Sequence, residues 1–224
     1  MRVVSWNLQH GVPDPVGPPD LARAVDPLRA LAADVYALQE LDRGRGRTRW
    51  EHQGAFLADR LGGELVFARA KHRGWAAQGN ALVVRGEVVA SERLRLPGSG
   101  EIRVATLALV VVGGGRWSVA TAHLSLDRDT ARNQLGAVAD ALSGWPPPRV
   151  LVGDLNLQPD LVEPVASAAG HRLVEGPSTV NARKTPDRRI DHVLVQGAAI
   201  IASGVAKMPV SDHLAVWADL ARPT

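Results

Sequence analysis

Short apolar, β-branched runs that start or stop on a polar residue recur along this chain, and their placement constrains its fold more than any bulk property does. Runs at residues 2–6, 35–39, 80–84, 102–112, 117–122, 149–152, 192–195 and 214–220 have the length and composition of strands. Between them lie four stretches with helical spacing, Asp20 to Ala33, Glu51 to Leu61, Asp129 to Leu142 and Asp160 to Ala169. Each opens on an acidic residue, which suits the positive end of a helix dipole. Strands outnumber helices, and Gly113-Gly114-Gly115 joins two of the runs as a hairpin. The pattern predicts an α/β fold, a four-layer sandwich of two mainly antiparallel β-sheets packed face to face and flanked by helices. A chain of 224 residues that is 46% apolar, with no internal repeat or long linker, is expected to form one domain over residues 1–224.

The tips of the runs carry the chemistry. Four strands end on a potential ligand or catalyst: Val3 to Asn7, Val35 to Glu40, Val119 to His123, and Val150 through Gly153-Asp154-Leu155-Asn156. Two others begin on one, Asp191-His192 before Val193 and Asp212-His213 before Leu214. If those last two strands run opposite to the first four, every one of these groups meets at one rim of the sandwich. Carboxylates crowded there repel one another unless a cation is bound, so the pattern predicts a metal site on rigid supports. Cysteine is absent, which leaves oxygen and imidazole as ligands and favours a hard ion, Mg²⁺ or, in its place, Mn²⁺. Taken singly, Asn7 or Glu40 reads as a turn former or a solvated carboxylate, and His123 as an ordinary satisfied histidine. The weight lies in the ordered set, in which Gly153-Asp154-Leu155-Asn156 is the strongest member.

In that order the motifs Ser5-Trp6-Asn7, Gln39-Glu40, Gly79-Asn80-Ala81, His123-Leu124, Gly153-Asp154-Leu155-Asn156, Ser178-Thr179, Ile190-Asp191-His192 and Ser211-Asp212-His213 resemble the endonuclease/exonuclease/phosphatase superfamily, with its deoxyribonuclease-I-like fold. The resemblance implies a Mg²⁺-dependent phosphoric ester hydrolase. It implies Glu40 as principal metal ligand, with Asn7 and Asp212 completing the metal environment. Asp154 would position or deprotonate the attacking water, and Asn156 would hold that water or a phosphate oxygen. His213, oriented by Asp191, would stabilise the growing phosphoryl charge. His123 would contact phosphate or protonate the leaving oxygen, while Asn80 and Thr179 would contact substrate phosphate. Either Asp154 or His213 can serve as general base on this reading. Two departures matter. Abasic-site endonucleases of the superfamily place an aspartate two residues after the asparagine, where Gln9 stands here, which argues against that repair role. No acidic residue lies between Glu64 and Glu87 to orient His123, as one does in the deoxyribonuclease-I branch.

Charge distribution bears on the substrate. Loops over 43–49, 69–80 and 176–190 carry eleven cations against the single acid Asp187, so the rest of a chain of formal net charge +3 is net acidic. A basic rim on an acidic body is the arrangement expected for steering a polyanion, and Arg45, Arg47 and Arg49 are the expected phosphate contacts of the first loop. Trp75 sits among the second set and is a candidate for base stacking or for a lid, whereas Trp6, Trp117 and Trp217 fall within strands and read as core. The alternative is that arginine-rich loops reflect base composition, since only three of the 26 cations are lysine.

These features favour a phosphodiesterase acting on nucleic acid, DNA or RNA, or on another polyanion. The alternatives are a hydrolase of a small phosphorylated metabolite or lipid headgroup, and a binding module that has kept the fold without the chemistry. Two Phe and one Tyr supply little for a membrane-facing surface. No apolar stretch approaches the roughly 20 residues of a spanning helix, and the N-terminus turns polar too early for a secretory leader. A cytoplasmic protein with no membrane association and no obligate protein partner is the expectation.

Overall fold

The computed structural model describes residues 1–13, 17–180 and 188–222. In it, one six-stranded sheet contains β1 (Arg2–Asn7), β2 (Val35–Arg43), β3 (Glu64–Arg73), β4 (Ala76–Val84), β11 (Ala199–Ala206) and β12 (Ala215–Ala221), in the order β11-β12-β1-β2-β4-β3. The other contains β5 (Glu87–Arg95), β6 (Val104–Val112), β7 (Gly115–His123), β8 (Arg149–Asp154), β9 (Arg172–Leu173) and β10 (Asp191–Gln196), in the order β5-β6-β7-β8-β10-β9. Each sheet holds one parallel pair at its centre, β1 with β2 and β7 with β8, and is otherwise antiparallel. A parallel pair delivers the ends of both strands to the same edge, so Asn7 and Glu40 emerge together, as do His123 and Asp154. β12 and β10 run antiparallel to β1 and β8, and therefore begin where those strands end.

Three apolar layers hold the sandwich together. Val3, Val35, Leu82, Val110, Val119, Val152 and Val193 interleave between the two sheets. α1 (Ala22–Leu31) and α2 (Gln53–Leu61) cover the outer face of the first sheet through Leu28, Leu57 and Leu61 against Trp6, Tyr36 and Leu38. α3 (Arg128–Ser143) and α4 (Pro159–Ala168) cover the second through Leu135, Val138, Leu142 and Val162 against Leu107, Ala120 and Leu151. Opening the core at a fully buried leucine such as Leu38 costs about 2–5 kcal/mol on truncation to alanine. α3 starts earlier than its sequence suggests, because Asp127 rather than Asp129 caps it, accepting the Thr130 amide.

The apolar runs mark the inner strands, and the unmarked strands β3, β5, β9 and β11 are the four sheet edges. β5 shows the reason: eight or nine residues of an edge strand need no apolar face when solvent covers it, and most of Glu87–Arg95 is exposed. Such strands form because an inner neighbour offers them a ladder of hydrogen bonds.

Candidate active site

All six strand tips converge on one rim, and the backbone is bent to aim them. β2 carries a bulge between Leu38 and Leu41, and within it Glu40 adopts a left-handed φ of 56°. Gln9, His10, Asn156 and Ser211 also take positive φ, so among the described residues five of the eight non-glycine residues in that conformation flank this rim. Each such residue stores roughly 1–3 kcal/mol of strain that the surrounding packing must offset, and such strain concentrates at functional sites. Gly153 serves a different need. A Cβ there would lie 2.1 Å from the Ala122 carbonyl oxygen, so only glycine lets β8 close against β7 just before Asp154. Beneath the rim, buried Gln39 ties the sheets together by donating from Nε2 to Thr121 Oγ1 at 2.9 Å and Ser5 Oγ at 3.2 Å.

Asp154 lies at the centre. Its Oδ1 accepts the Asn156 amide at 3.1 Å, and its Oδ2 accepts Asn7 Nδ2 at 3.0 Å. His123 Nε2 stands 3.4 Å from the same Oδ2 and His213 Nε2 3.8 Å from it. Burial pushes the Asp154 carboxyl above its ordinary range, with the neighbouring imidazoles opposing. Asn156 turns its own side chain to the Leu124 carbonyl, which fixes the loop after β8.

The two histidines are held in opposite states. Burial lowers His123 to about 4 despite the attraction of Asp154, and nearby Arg103 and His213 reinforce the shift, so it is neutral. His213 is buried too, but the charge of Asp191, a 2.9 Å hydrogen bond to Asp191 Oδ2, and the charges of Asp154 and Asp212 outweigh desolvation and raise it to about 10. It is an imidazolium at neutral pH. Asp191 is itself fixed by Thr179, whose hydroxyl donates to Oδ2 at 2.7 Å and accepts the Ile190 and Asp191 amides.

The geometry corrects several expectations. Thr179 has one hydroxyl proton and gives it to Asp191, so it positions Asp191 and is not available to donate to substrate phosphate. Asn7 points its NH₂ at Asp154 and, at 3.1 Å, at Glu40 Oε1, while its oxygen accepts the Gln9 amide, so Asn7 sits between the two carboxylates. Asn80 is buried, donates to the Val104 carbonyl and lines the cleft that Glu40 also lines. Arg47 is committed to buried Asp42 through two hydrogen bonds of 2.6 and 2.8 Å. Arg45 stands beside it, its Nε 3.8 Å from Asp42, but Arg49 turns to a separate cleft with Asp20 and Glu51. In the third loop Arg183, Lys184 and Asp187 lie outside the described residues, and Arg189 donates to the Val174 carbonyl. Asp212 sits next to His213, its Oδ1 4.0 Å from Nε2.

Sequence reasoning passed over two participants. His10 reaches Glu40 twice, with Nδ1 2.7 Å from its carbonyl oxygen and Nε2 3.3 Å from Oε2. Its place three residues after Asn7 was the available signal. Arg103 is buried, its Nε lacks a hydrogen-bond partner, and with Lys71 and Glu101 it lines the cleft beside Glu40, Asn80 and His123. Nothing in the linear sequence marks it. His123, for which no mid-chain acid was available, stands between Glu40 Oε1 at 3.8 Å and Asp154.

Potential ligand atoms of Asp154, Asp191 and His213 lie within 4.8 Å of one another. Two of these three are already engaged with each other, His213 Nδ1 lying 2.9 Å from Asp191 Oδ2. The oxygens of Glu40 and Asp154, which accept from the same Asn7 nitrogen, are a donor set that fits a hard divalent cation.

A double sandwich with carboxylates, amides and a charged imidazole on one rim defines a phosphoester hydrolase of the deoxyribonuclease-I-like class. The chain belongs to the endonuclease/exonuclease/phosphatase family, whose model matches residues 4–213. Among solved structures it is similar to an endonuclease/exonuclease/phosphatase from Beutenbergia cavernae, at 26% identity and a TM-score of 0.84, over 99% of this chain and 71% of that one. It shares its fold with D. rerio TDP2 complexed with a single-strand DNA product, at 20% identity and a TM-score of 0.75, over 98% of both chains. A mannosyl-6-phosphatase from Bacteroides thetaiotaomicron also has this fold, at 16% identity and a TM-score of 0.80, over 99% of both chains. No curated protein sequence matches the chain significantly. No helix among the described residues is long and apolar enough to cross a membrane.

Proposed function

We propose that this protein is a Mg²⁺-dependent phosphodiesterase that acts on nucleic acid or a related polyanion. The observation that carries the reading is the placement of two histidines about one carboxylate, His123 Nε2 3.4 Å and His213 Nε2 3.8 Å from Asp154 Oδ2, with burial pushing the first toward the neutral form and the charges of Asp191, Asp154 and Asp212 pushing the second toward the cation. Phosphoryl transfer needs an acceptor for the proton of water and a fixed positive charge beside the equatorial oxygens. His213, already protonated, cannot accept that proton, which leaves Asp154 as general base. His213 supplies charge and a hydrogen bond to the phosphoryl group, and Asp191 with Thr179 keeps it oriented. A neutral His123 donates a hydrogen bond to phosphate and is too weak a base to be a stored acid. Glu40, set by His10 and Asn7, would hold the metal with Asp154; when bound, the ion neutralises charge on the non-bridging and leaving oxygens.

The narrow cleft lined by Lys71, Asn80 and Arg103 favours a second reading, a hydrolase of a small phosphorylated metabolite whose further anionic group sits on buried Arg103. Hydrolysis of bis-p-nitrophenyl phosphate, p-nitrophenyl phosphate, plasmid DNA and inositol phosphates, each with Mg²⁺ or Mn²⁺ and with an EDTA control, separates the two. Diester and DNA cleavage abolished by EDTA is the expected result. Turnover of monoesters alone would transfer the assignment to the second reading, and full activity in EDTA would overturn both.

A further inference from the structure

Beyond Glu40 the strands β2, β3 and β4 run on past the rim and form a corner that the reaction does not use. Two tryptophans lie bare on it, Trp50 at 63% and Trp75 at 61% exposure, although large aromatic side chains are ordinarily covered. They come from different segments yet meet, with ring centroids 5.7 Å apart and planes inclined by 26°. Their seat is the Gly44-Arg45-Gly46-Arg47 turn. Gly44 has φ +63°, and a Cβ there would lie 2.0 Å from the Trp75 ring; Gly46 allows the Trp50 ring to within 3.6 Å of the same construction. Both rings thus rest on bare backbone. Together with Arg45 and Arg47 they line an open groove of about 480 Å³. The Nε of Arg45 is buried without a hydrogen-bond partner, and part of the Arg47 side chain stays exposed beyond its pairing with Asp42.

The register sets the distance to the chemistry. Leu41, next to Glu40, pairs with Gly79, and Trp75 precedes Ala76 at the start of β4. Gly79 to Trp75 is four residues, which in extended chain span about 13 Å, the length of about four stacked nucleotides at ~3.4 Å each. Aromatic faces flanked by guanidinium groups match a strand whose flat bases alternate with phosphates. A lipid surface would need a wider apolar rim than two indoles.

We propose that Trp50 and Trp75 form a stacking shelf for an unpaired nucleobase three or four nucleotides from the hydrolysed phosphate, with Arg45 on the intervening backbone. This rests on the phosphodiesterase reading, and the test keeps the two apart. Binding of a fluorescent single-stranded 12-mer and of an abasic 12-mer with the same phosphates is measured in Ca²⁺ for the wild type, W50A, W75A and W75F. The wild type is expected to prefer the base-bearing strand. Each alanine variant should lose about 5- to 150-fold in affinity for it, the equivalent of ~1–3 kcal/mol per stacked base, and W75F should recover part of the loss. Affinity for the abasic strand and its salt dependence should hold. Equal affinity of the wild type for both strands, or unchanged affinity in W50A and W75A with folding intact by circular dichroism, would overturn the shelf. So would a wild-type dimer that either alanine variant dissolves, because the rings would then be an interface between copies. Failure of the wild type to cleave any diester would overturn the phosphodiesterase reading, while the comparison of base-bearing and abasic strands still decides the shelf.

Discussion

Seven residues separate Glu40 from Arg47, yet the rim and the corner on which they stand are built on opposite terms. At the rim, buried charged groups are fixed by one another: Asp154 by Asn7 and Asn156, His213 by Asp191, Asp191 by Thr179. At the corner, aromatic and cationic groups face solvent on a glycine floor, and Asp42 anchors Arg47. Low-dielectric surroundings make the rim rigid and set its protonation states in advance, as a reaction requires. The corner stays wet, where charges are worth little singly and add up only against a polymer.

If that contrast is correct, the largest losses follow from touching the rim. Asp154→Asn and His213→Ala should each lower turnover of bis-p-nitrophenyl phosphate about 10²- to 10⁴-fold, and the double variant should lose far less than the product, since both groups serve one transition state. Glu40→Gln should fall in the same range and also change the dependence on Mg²⁺ concentration. Kinetics on variants verified as folded check this, and losses below about fivefold would mean the roles are misassigned.

One step out, Asp191→Asn removes the charge that holds His213 protonated. NMR titration should find His213 in the parent still charged above pH 8, consistent with its value of about 10, and should find it titrating much closer to the ordinary histidine range of ~6.5 in the variant. An unmoved titration would break the Asp191–His213 linkage.

Stability should respond to pH from both sides. His123 and the core histidine His192, whose Nε2 meets the Leu157 carbonyl at 2.8 Å, are both lowered to about 4, so the unfolded chain takes up protons first. Stability from these groups is complete above ~6.5 and is lost as pH falls toward 4. His213, raised to about 10, behaves in reverse: its contribution is complete below ~6.5 and is lost as pH climbs through 10. Urea unfolding from pH 4 to 10 should therefore peak between these limits, and a flat acid limb would refute the neutral histidines.

The smallest effects belong to the corner. Arg47→Gln should cost about 1–3 kcal/mol of stability by leaving the Asp42 carboxylate buried with fewer donors. Arg45→Gln should leave stability nearly unchanged and reduce the salt slope of oligonucleotide binding by about 1. Denaturant midpoints and binding at several salt concentrations distinguish the two. An identical response from both arginines would erase the distinction between anchor and contact.

Much of this molecule is legible in its sequence. The inner strands are apolar because they are covered on both faces, so Val3 to Asn7 or Val150 to Asp154 declare themselves, and polar residues at their tips mark the rim. The edge strands β3, β5, β9 and β11 left no such trace, since solvent covers what a partner would otherwise demand be apolar. Among site residues, those lying within motifs were found and those brought in from elsewhere were not: Arg103 and His10 matter only because folding places them beside Glu40. Residue types and the apolar runs, then, are properties of the sequence, because side-chain chemistry and hydrophobic period are local, whereas the direction of β10 and β12 is set by their pairing. Which histidine is charged, that Thr179 serves Asp191, that Arg47 is tied to Asp42, and that two distant tryptophans share one glycine floor were decided only by the tertiary structure. Burial and charge act through space, and their sum at any atom depends on neighbours that the order of residues does not name.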